Sequence, residues 1–303
     1  MDIVFHPAAH RREQCQPITL TRKLAEVPVG NRPLAKAAEV WLQGAVAEVG
    51  ARNLVLHVHE DAWLSVGILR ELSASDESAV AADRDGEILA WLGESGSEAP
   101  PPNGRRVEAD ADSFVVRHPW HLLRINEILV GALRESRIEG EVSPAATIEG
   151  VVEIGAGTRI LPGVFIEGNA VVGTDCKIGP NCYIRGNTAI GDGCHIGQAV
   201  EIKNSLLMNR VAVGHLSYCG DSILGEKVNF GAGTITANLR HDNRNQRSLV
   251  DGRLVDTGRR KLGTVVGDGV HTGIHTSIYP GRKLWPGTVT RPGAMVERDL
   301  LKT

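Results

Sequence analysis

A glutamate and a histidine in the second half of the chain have the residue types that acid–base chemistry needs. Glu201 and His215 lie fourteen positions apart. A carboxylate beside an imidazole fixes its tautomer and raises its basicity, so the pair can take a proton from a reacting group. The spacing equally allows His215 to be a surface or turn histidine. The choice depends on the elements that position the two side chains.

These elements follow a hexapeptide repeat. Six residues make one short strand and a tight turn, and three such units make one triangular coil that must stack on others to bury its open ends. Glu201 and His215 are four residues short of one eighteen-residue coil apart, so they can lie near each other on adjacent coils. An aliphatic residue occupies every sixth position without a miss at Val142, Ile148, Ile154, Ile160, Ile166, Val172, Ile178, Ile184, Ile190, Ile196 and Ile202.

The smaller inward residues of the repeat include three cysteines. Cys176 and Cys194 lie eighteen positions apart and should stack on one face, with Cys182 on the next. We interpret them as small buried core residues. Five cysteines without a C-x-x-C pair indicate neither a disulfide framework nor a zinc site.

The period slips after Ile202 and breaks over residues 238–261 before it returns at Val266. A long polar excursion from a rigid scaffold is a typical place for a binding loop. The excursion contains six arginines, at positions 240, 244, 247, 253, 259 and 260.

Three runs in this region resemble the acetyltransferase domain of bifunctional N-acetylglucosamine-1-phosphate uridyltransferases. They are residues 200–205 (VEIKNS), 214–221 (GHLSYCGD) and 228–238 (VNFGAGTITAN). Residues 118–127, 236–240 and 255–263 resemble the archaeal-type sugar-1-phosphate nucleotidyltransferase/amino-sugar acetyltransferases. The resemblance covers about residues 118–299. It implies a left-handed parallel β-helix in a homotrimer, and acetyl transfer from acetyl-CoA to glucosamine-1-phosphate or galactosamine-1-phosphate.

The resemblance also implies roles for single residues. His215 matches the catalytic base, Glu201 the carboxylate that orients it, and Asn238 an asparagine at the reacting amine and acetyl group. The matches to the sugar-phosphate site are Arg185, Lys203, Tyr218 and Asn229, with Arg244 and Arg247 where related enzymes carry lysines. On the acetyl-CoA side the matches are Ala232, Ile274 and Pro292, the last two standing where bacterial members have serine and alanine, and we expect Arg291 and Arg298 to meet CoA phosphates.

The first part of the chain follows different packing rules. Residues 1–140 hold only 10 of the 35 glycines but four of the five tryptophans. We predict a reduced α/β domain over 1–115, a connecting helix within 116–140 and the β-helix over 141–303. Helical spacing predicts helices at 34–49 and 118–135, and the apolar run 53–59 predicts a buried strand. The helix at 34–49 and the strand at 53–59 would open the α/β domain as a βαβ unit.

This small α/β domain resembles a truncated sugar nucleotidyltransferase. Residues 27–34 (VPVGNRPL) resemble its PVGNKPL segment, but residues 6–12 (HPAAHRR) replace its glycine-rich phosphate loop. Without glycine the backbone cannot approach a triphosphate closely. We therefore predict an inactive remnant, so Mg²⁺ would be needed only if nucleotidyl transfer persists.

Composition argues against several other classes. The chain carries 33 Lys+Arg and 36 Asp+Glu, a balance that does not favour binding to nucleic acid or to a membrane surface. No apolar run approaches the length of a membrane span, and no secretory signal is visible. We therefore expect a cytoplasmic protein whose partners are small molecules and copies of itself.

Three other functions stay open at this point. The first is a bifunctional enzyme that retains nucleotidyl transfer. The second is a prism carbonic anhydrase with zinc between subunits, for which His271 and His275 lack an evident third histidine. The third is a non-catalytic scaffold that keeps the motif for packing.

Overall fold

The computed structural model describes residues 1–7, 15–50 and 54–301, which form two compact units. The first unit contains the N-terminal strand, residues 24–26 and the described part of 33–117. The second contains residues 118–301 together with 15–23 and 27–32. The boundaries at 115 and 140 stay a prediction, and the repeat did not indicate that two N-terminal segments pack with the second unit.

The first unit is a mixed α/β fold. Its main strands are β1 (Ile3–His6), β4 (Val55–His59), β6 (Ala79–Ala82), β7 (Ile88–Gly93) and β8 (Arg105–Glu108). They form one sheet in the order β1-β4-β7-β6-β8, in which β1 and β4 are parallel. Its helices are α1 (Leu34–Val49) and α2 (Val66–Leu72), with a 3₁₀ turn at Leu24–Glu26. Two short strands of this unit, β5 (Ala62–Trp63) and β9 (Phe114–Val115), pair with each other. Strand β2 (Pro28–Val29) belongs to the second unit and pairs with β3 (Arg32–Pro33), and the first unit resumes at Pro33.

This sheet confirms the small α/β region and its opening βαβ unit. Helix α1 has the predicted bounds, and the strand after it begins at Val55. The core is aliphatic, and Leu56, Leu69 and Leu89 are fully buried. Most of the run that replaces the glycine loop, residues 8–12, lies outside the described residues.

The second unit is a parallel β-helix, as the hexapeptide repeat predicts. It has three faces, and we name them A, B and C. Face A contains β10 (Arg137–Ile138), β13 (Val152–Ile154), β16 (Ala170–Val172), β19 (Thr188–Ile190), β22 (Leu206–Leu207), β25 (Ile223–Leu224), β30 (Thr264–Val266) and β32 (Arg282–Leu284). Face B contains β11 (Glu141–Val142), β14 (Arg159–Ile160), β17 (Lys177–Ile178), β20 (His195–Gln198), β23 (Ala212–His215) and β26 (Asn229–Phe230). Face C contains β12 (Thr147–Glu149), β15 (Phe165–Glu167), β18 (Tyr183–Arg185), β21 (Glu201–Lys203), β24 (Tyr218–Gly220), β27 (Ile235–Thr236), β31 (Ser277–Ile278) and β33 (Met295–Val296).

The predicted ladder of aliphatic residues forms the interior of this prism. Its members from Ile154 to Ile202 are buried, and Val142 and Ile148 pack against them at the open end. Cys176 and Cys194 stack inside on successive coils. Burial raises the pKa of Cys182 to about 12, so this thiol stays neutral in the interior.

The slip in the repeat is a change in coil length. Ile184 pairs with Ile202, eighteen residues on, whereas Ile202 pairs with Cys219, only seventeen residues on. In the coils directly after the slip, a residue therefore pairs with one that lies seventeen rather than eighteen positions later in the chain. This changes which side chains of the predicted site are neighbours.

The break in the repeat is an excursion between two coils. Leu224 pairs with Val266, forty-two residues on, and an isolated antiparallel bridge from Leu239 to Lys261 closes the base of the excursion. The excursion contains the antiparallel hairpin of β28 (Arg247–Val250) and β29 (Arg253–Asp256). Ser248 Oγ donates to Gly281 O over 3.2 Å, which docks the hairpin on the following coil.

Helix α3 (Pro119–Gly131) confirms the predicted helix, although it ends four residues earlier than expected. Its buried Asn126 donates from Nδ2 to Asn187 O on the prism and accepts at Oδ1 from Gly30 N. The same unit also includes a 3₁₀ turn at Ile18–Leu20. None of the helices in the described part of the chain has the length and apolar character that crossing a membrane requires.

Candidate active site

Face C gathers several of the predicted residues into two outward columns. Register pairs Glu201 with Tyr218, and Arg185 with Lys203 two residues further along the strands. Side chains two apart on a strand point to the same side of a sheet. The two columns therefore present their polar groups together on the outer surface of face C.

Glu201 pairs with Arg185 within this surface. Arg185 Nε donates to Glu201 Oε1 over 2.7 Å, and the guanidinium lies 5.5 Å from the ring centre of Tyr183. Partial burial opposes the charge of Arg185, but the bond and charge of Glu201 outweigh it and raise the pKa of the guanidinium. His215 aligns with Gln198 whereas Glu201 aligns with Tyr218, and no Glu201–His215 hydrogen bond occurs among the described residues.

His215 lies at the edge between faces B and C, with its side chain exposed. Backbone bonds stack three further turns on this edge: Gly233 N donates to His215 O, His275 N to Ala232 O, and Gly293 N to Ile274 O. The predicted cofactor residues Ala232, Ile274 and Pro292 therefore follow His215 along one line. Half of the Ile274 side chain is exposed.

Asn238 joins the face C cluster from the start of the excursion. Its Nδ2 donates to Tyr218 Oη over 2.9 Å and to Asp221 Oδ2 over 2.5 Å. Lys203 Nζ donates to the same Oδ2 over 2.7 Å. The buried carboxylate of Asp221 therefore binds two predicted site residues, Lys203 and Asn238. Asn238 in turn binds a third, Tyr218.

Tyr218 is a hydrogen-bond donor over the whole neutral range. Burial raises its pKa to about 12, and the charges of Asp221 and Glu201 act in the same direction. Its hydroxyl oxygen accepts from Asn238, so its proton is directed elsewhere. A protonated phenol suits a phosphate oxygen or another anion as acceptor.

A second network links this cluster to helix α3. Asn204 Nδ2 donates to Asp221 Oδ1 over 3.0 Å and to Glu127 Oε1 over 2.6 Å. Arg259 of the excursion donates to both oxygens of Glu127, at 2.5 and 3.0 Å. Burial alone would raise the pKa of Glu127, but the bonds and charge of Arg259 lower it overall.

The excursion holds a cluster of arginines. Arg244 and Arg247 line a pocket of about 460 Å³ with Arg240, Asn245 and Asp256. Arg240 binds Asp242 through two nitrogens, and this bond lowers the pKa of that carboxyl. Arg244 and Arg247 are exposed, which leaves their guanidinium groups accessible to an anion.

The remaining predicted residues lie apart from the face C cluster. Asn229 lies on face B and is exposed, and Arg291 is exposed beside Pro292. In the part of the chain that the structure describes, no group of three or more His, Cys, Asp or Glu side chains could hold a metal ion.

Comparison with known proteins shows which families and proteins this chain resembles. Residues 166–282 match the family described as the GMPPB C-terminal domain. The chain is 41% identical over 194 residues to a bifunctional sugar-1-phosphate nucleotidylyltransferase/acetyltransferase of Sulfurisphaera tokodaii, a match that covers 64% of this chain and 48% of the relative. It is 48% identical over 185 residues to the bifunctional protein GlmU of Methanococcus maripaludis, covering 61% and 44%. The chain is a relative of these bifunctional proteins.

The relationship is partial in length. This chain spans about half the length of the curated relatives that it matches. Among solved structures, a UDP-N-acetylglucosamine acyltransferase of Francisella novicida has 16% identity and a TM-score of 0.29, with 55% of this chain and 62% of that chain covered.

Sequence reasoning missed four residues of these networks: Asp221, Asn204, Glu127 and Arg259. The signal for Asp221 was the Gly-Asp pair that ends the run 214–221, three residues after Tyr218. Its left-handed backbone, with φ of 49°, is typical of a tight corner. Glu127 and Arg259 are 132 residues apart, and no local pattern relates them.

Proposed function

We propose that this chain is an acetyl-CoA-dependent N-acetyltransferase that acts on an amino-sugar-1-phosphate. The observation that carries the proposal is the cluster of Lys203, Tyr218 and Asn238 around Asp221, on the face that adjoins the edge bearing His215. The cluster offers cations and donors for a phosphate, while His215 offers a base for an amine. The names of the relatives support the same chemistry.

In the proposed reaction His215 is the general base. The amine nitrogen of the sugar attacks the thioester carbonyl, a C–N bond forms, and the C–S bond breaks. His215 takes the proton that the amine loses, and this proton leaves with the CoA thiolate. Positioned base catalysis of this kind contributes roughly 10²–10⁴-fold. Asn238 would contact the amine, and a backbone N–H of a neighbouring turn would stabilise the oxyanion.

The substrate phosphate would bind on face C. Arg185 and Lys203 supply positive charge and Tyr218 supplies a hydroxyl proton, while Asn229 would add a polar contact from face B. Arginine suits phosphate because its fork makes two parallel bonds. The pocket of Arg244 and Arg247 would add a second cationic contact from the excursion.

Glu201 has two candidate roles. Its bond to Arg185 supports a role in the phosphate site. The family resemblance assigns it to the orientation of His215, which would use the other carboxylate oxygen. The substitution Glu201→Gln distinguishes the two roles.

The acetyl-CoA site would follow the edge that carries Ala232, Ile274 and Pro292. Gly231 and Gly273 lie in this stack, and a Cβ at Gly231 would come within 2.7 Å of the Gly273 backbone. This packing keeps the turns close enough to form one continuous surface for an extended cofactor. Arg291, beside Pro292, would meet a CoA phosphate. We also propose a homotrimer, which would place this edge against a neighbouring prism.

The test is thiol release from acetyl-CoA, with glucosamine-1-phosphate and galactosamine-1-phosphate offered separately. We expect turnover with at least one sugar, and its loss in His215→Ala with the oligomer intact. Asp192→Asn is the control, because it changes a carboxylate on a distant turn that accepts from Thr174 N. No turnover with either sugar, or full turnover in His215→Ala, would overturn the proposal.

A further inference from the structure

Asp221 is a buried carboxylate at the centre of the face C cluster, with only 2% of its surface exposed. Both of its oxygens are used. Oδ2 accepts from Lys203 Nζ and Asn238 Nδ2, and Oδ1 accepts from Asn204 Nδ2. A buried carboxylate is stable only when such bonds replace water.

These bonds determine which end of the Asn238 amide faces the site. An asparagine side chain has one nitrogen with two donors and one oxygen that only accepts. A carboxylate accepts and cannot donate when it is ionised, so the nitrogen must point toward Asp221 Oδ2. The second proton of that nitrogen goes to Tyr218 Oη. The amide oxygen is consequently turned away from Asp221.

We infer that Asp221 is a positioning residue, which orients the Asn238 amide so that its oxygen can accept a hydrogen bond from an N–H of the substrate amine and which holds the Lys203 ammonium in the phosphate site. This inference rests on the proposed acetyltransferase function and deepens it. An oxygen that accepts hydrogen bonds at this point favours a substrate whose reacting position carries N–H groups. A site that hydrogen-bonds a specific group discriminates strongly against analogues that lack it.

Asp221 is itself held in place from both sides of its backbone. Asp221 N donates to Lys203 O over 2.8 Å, and Gly263 N donates to Asp221 O over 2.9 Å. Asn204 connects it to Glu127, which Arg259 clamps from the excursion. The carboxylate is therefore fixed before substrate binds, as preorganisation of a site requires.

The first experiment is a double-mutant cycle that measures kcat and KM for the sugar phosphate. Asp221→Asn can present either end of its amide to Asn238, so the orientation is lost. Loss of a charged hydrogen bond leads us to expect a fall in kcat of about 10- to 100-fold. In an Asn238→Ala background the same substitution should change kcat by less than about twofold. It should still raise KM for the sugar phosphate, because Asp221 also holds Lys203. Asp192→Asn is again the control.

A structural defect would give a different pattern. If Asp221→Asn lowered kcat equally in both backgrounds, Asp221 would not act through Asn238 and the inference would be wrong. The melting temperature of each variant, measured in parallel, shows whether the fold is retained. Asp221→Glu keeps the charge, and partial recovery of kcat relative to Asp221→Asn is expected.

A second measurement does not depend on acetyl transfer. In protein labelled with ¹⁵N at asparagine, the side-chain NH₂ signal that disappears in Asn238→Ala is assigned to Asn238. We expect these protons to exchange slowly in the wild type and at least tenfold faster in Asp221→Asn. Fast exchange in the wild type would overturn the inference. If the wild type transferred no acetyl group but showed this protection, the proposed function would fail while the orienting contact would stand.

Discussion

At the scale of single residues, Glu201 has two candidate partners, Arg185 and His215. It shares a column with Tyr218 on face C and binds Arg185 through one oxygen, while His215 lies on the adjacent edge. His215 aligns with Gln198 on face B, three residues before Glu201, whereas Glu201 lies on face C. The effect of Glu201 on catalysis should therefore be transmitted mainly through Arg185.

We predict that Glu201→Gln raises KM for the sugar phosphate several-fold and changes kcat by less than about threefold. The amide keeps the shape but removes the charge that holds Arg185, so the phosphate site is affected more than the base. Steady-state kinetics across pH provide the measurement. A large fall in kcat with a shifted acidic limb would instead assign Glu201 to His215. Glu153→Gln, on face A, is the matched control.

Tyr218 provides a prediction about pH. Its folded-state pKa is raised to about 12, above the value of about 10 for a free phenol. The folded state therefore holds this proton more tightly, and its contribution to stability is present below pH 10 and lost as pH rises toward 12. Phenolate absorbance of the wild type and of Tyr218→Phe should coincide up to about pH 11. A difference that develops near pH 10 would contradict the assignment.

At the scale of elements, one ion pair connects the excursion to helix α3. Arg259 and Glu127 bind through two hydrogen bonds, and their side chains are only 16% and 13% exposed. Removing one partner of a buried pair leaves the other charge without compensation and typically costs about 3–5 kcal/mol. The excursion carries Asn238 and the arginine pocket, so this contact bears on the site.

We predict that Glu127→Ala frees the excursion from α3, so that its backbone opens locally more often and trypsin cleaves faster at its arginines. Cleavage within residues 240–260, followed by mass spectrometry, should be at least tenfold faster than in the wild type. The control is Glu139→Ala, which removes an exposed pair with Arg137 that is worth little. Equal cleavage rates in Glu127→Ala and the control would show that other contacts hold the excursion.

At the scale of the whole molecule, the two units differ in what their residues offer. The β-helix carries the proposed transfer site, whereas the first unit contains a five-stranded sheet with two helices. The relatives that the chain matches are about twice the matched length and are named as bifunctional. Nucleotidyl transfer by this chain is therefore a separate question from acetyl transfer.

We predict that the chain releases no pyrophosphate from UTP or dTTP with a sugar-1-phosphate, with or without Mg²⁺. The reason lies in the sequence at residues 6–12, where no glycine permits close approach of the backbone to a triphosphate. A coupled pyrophosphate assay measures this. Release above the background of an enzyme-free sample would show that the first unit retains this activity, and the same preparation must transfer acetyl groups as its positive control.

The local sequence pattern predicted the parallel β-helix and the residues that point into its coils. This was possible because the interior of a coil is specified locally: each Ile from 154 to 202 occupies an inward position set by a period of six. Helices α1 and α3 and the excursion were also predictable from local periodicity and its interruption. The family motifs then named Lys203, Tyr218 and Asn238.

The contacts that those residues make, in contrast, are visible only in the folded structure. Glu201 aligns with Tyr218 because the coil after Ile202 has seventeen residues, and it binds Arg185 of the preceding coil rather than His215. The partners of Asp221 come from the end of one strand, at Lys203 and Asn204, and from the excursion, and Glu127 meets Arg259 across 132 residues. Contacts between distant segments depend on how coils stack and where the chain leaves them, and a local period carries no information about either.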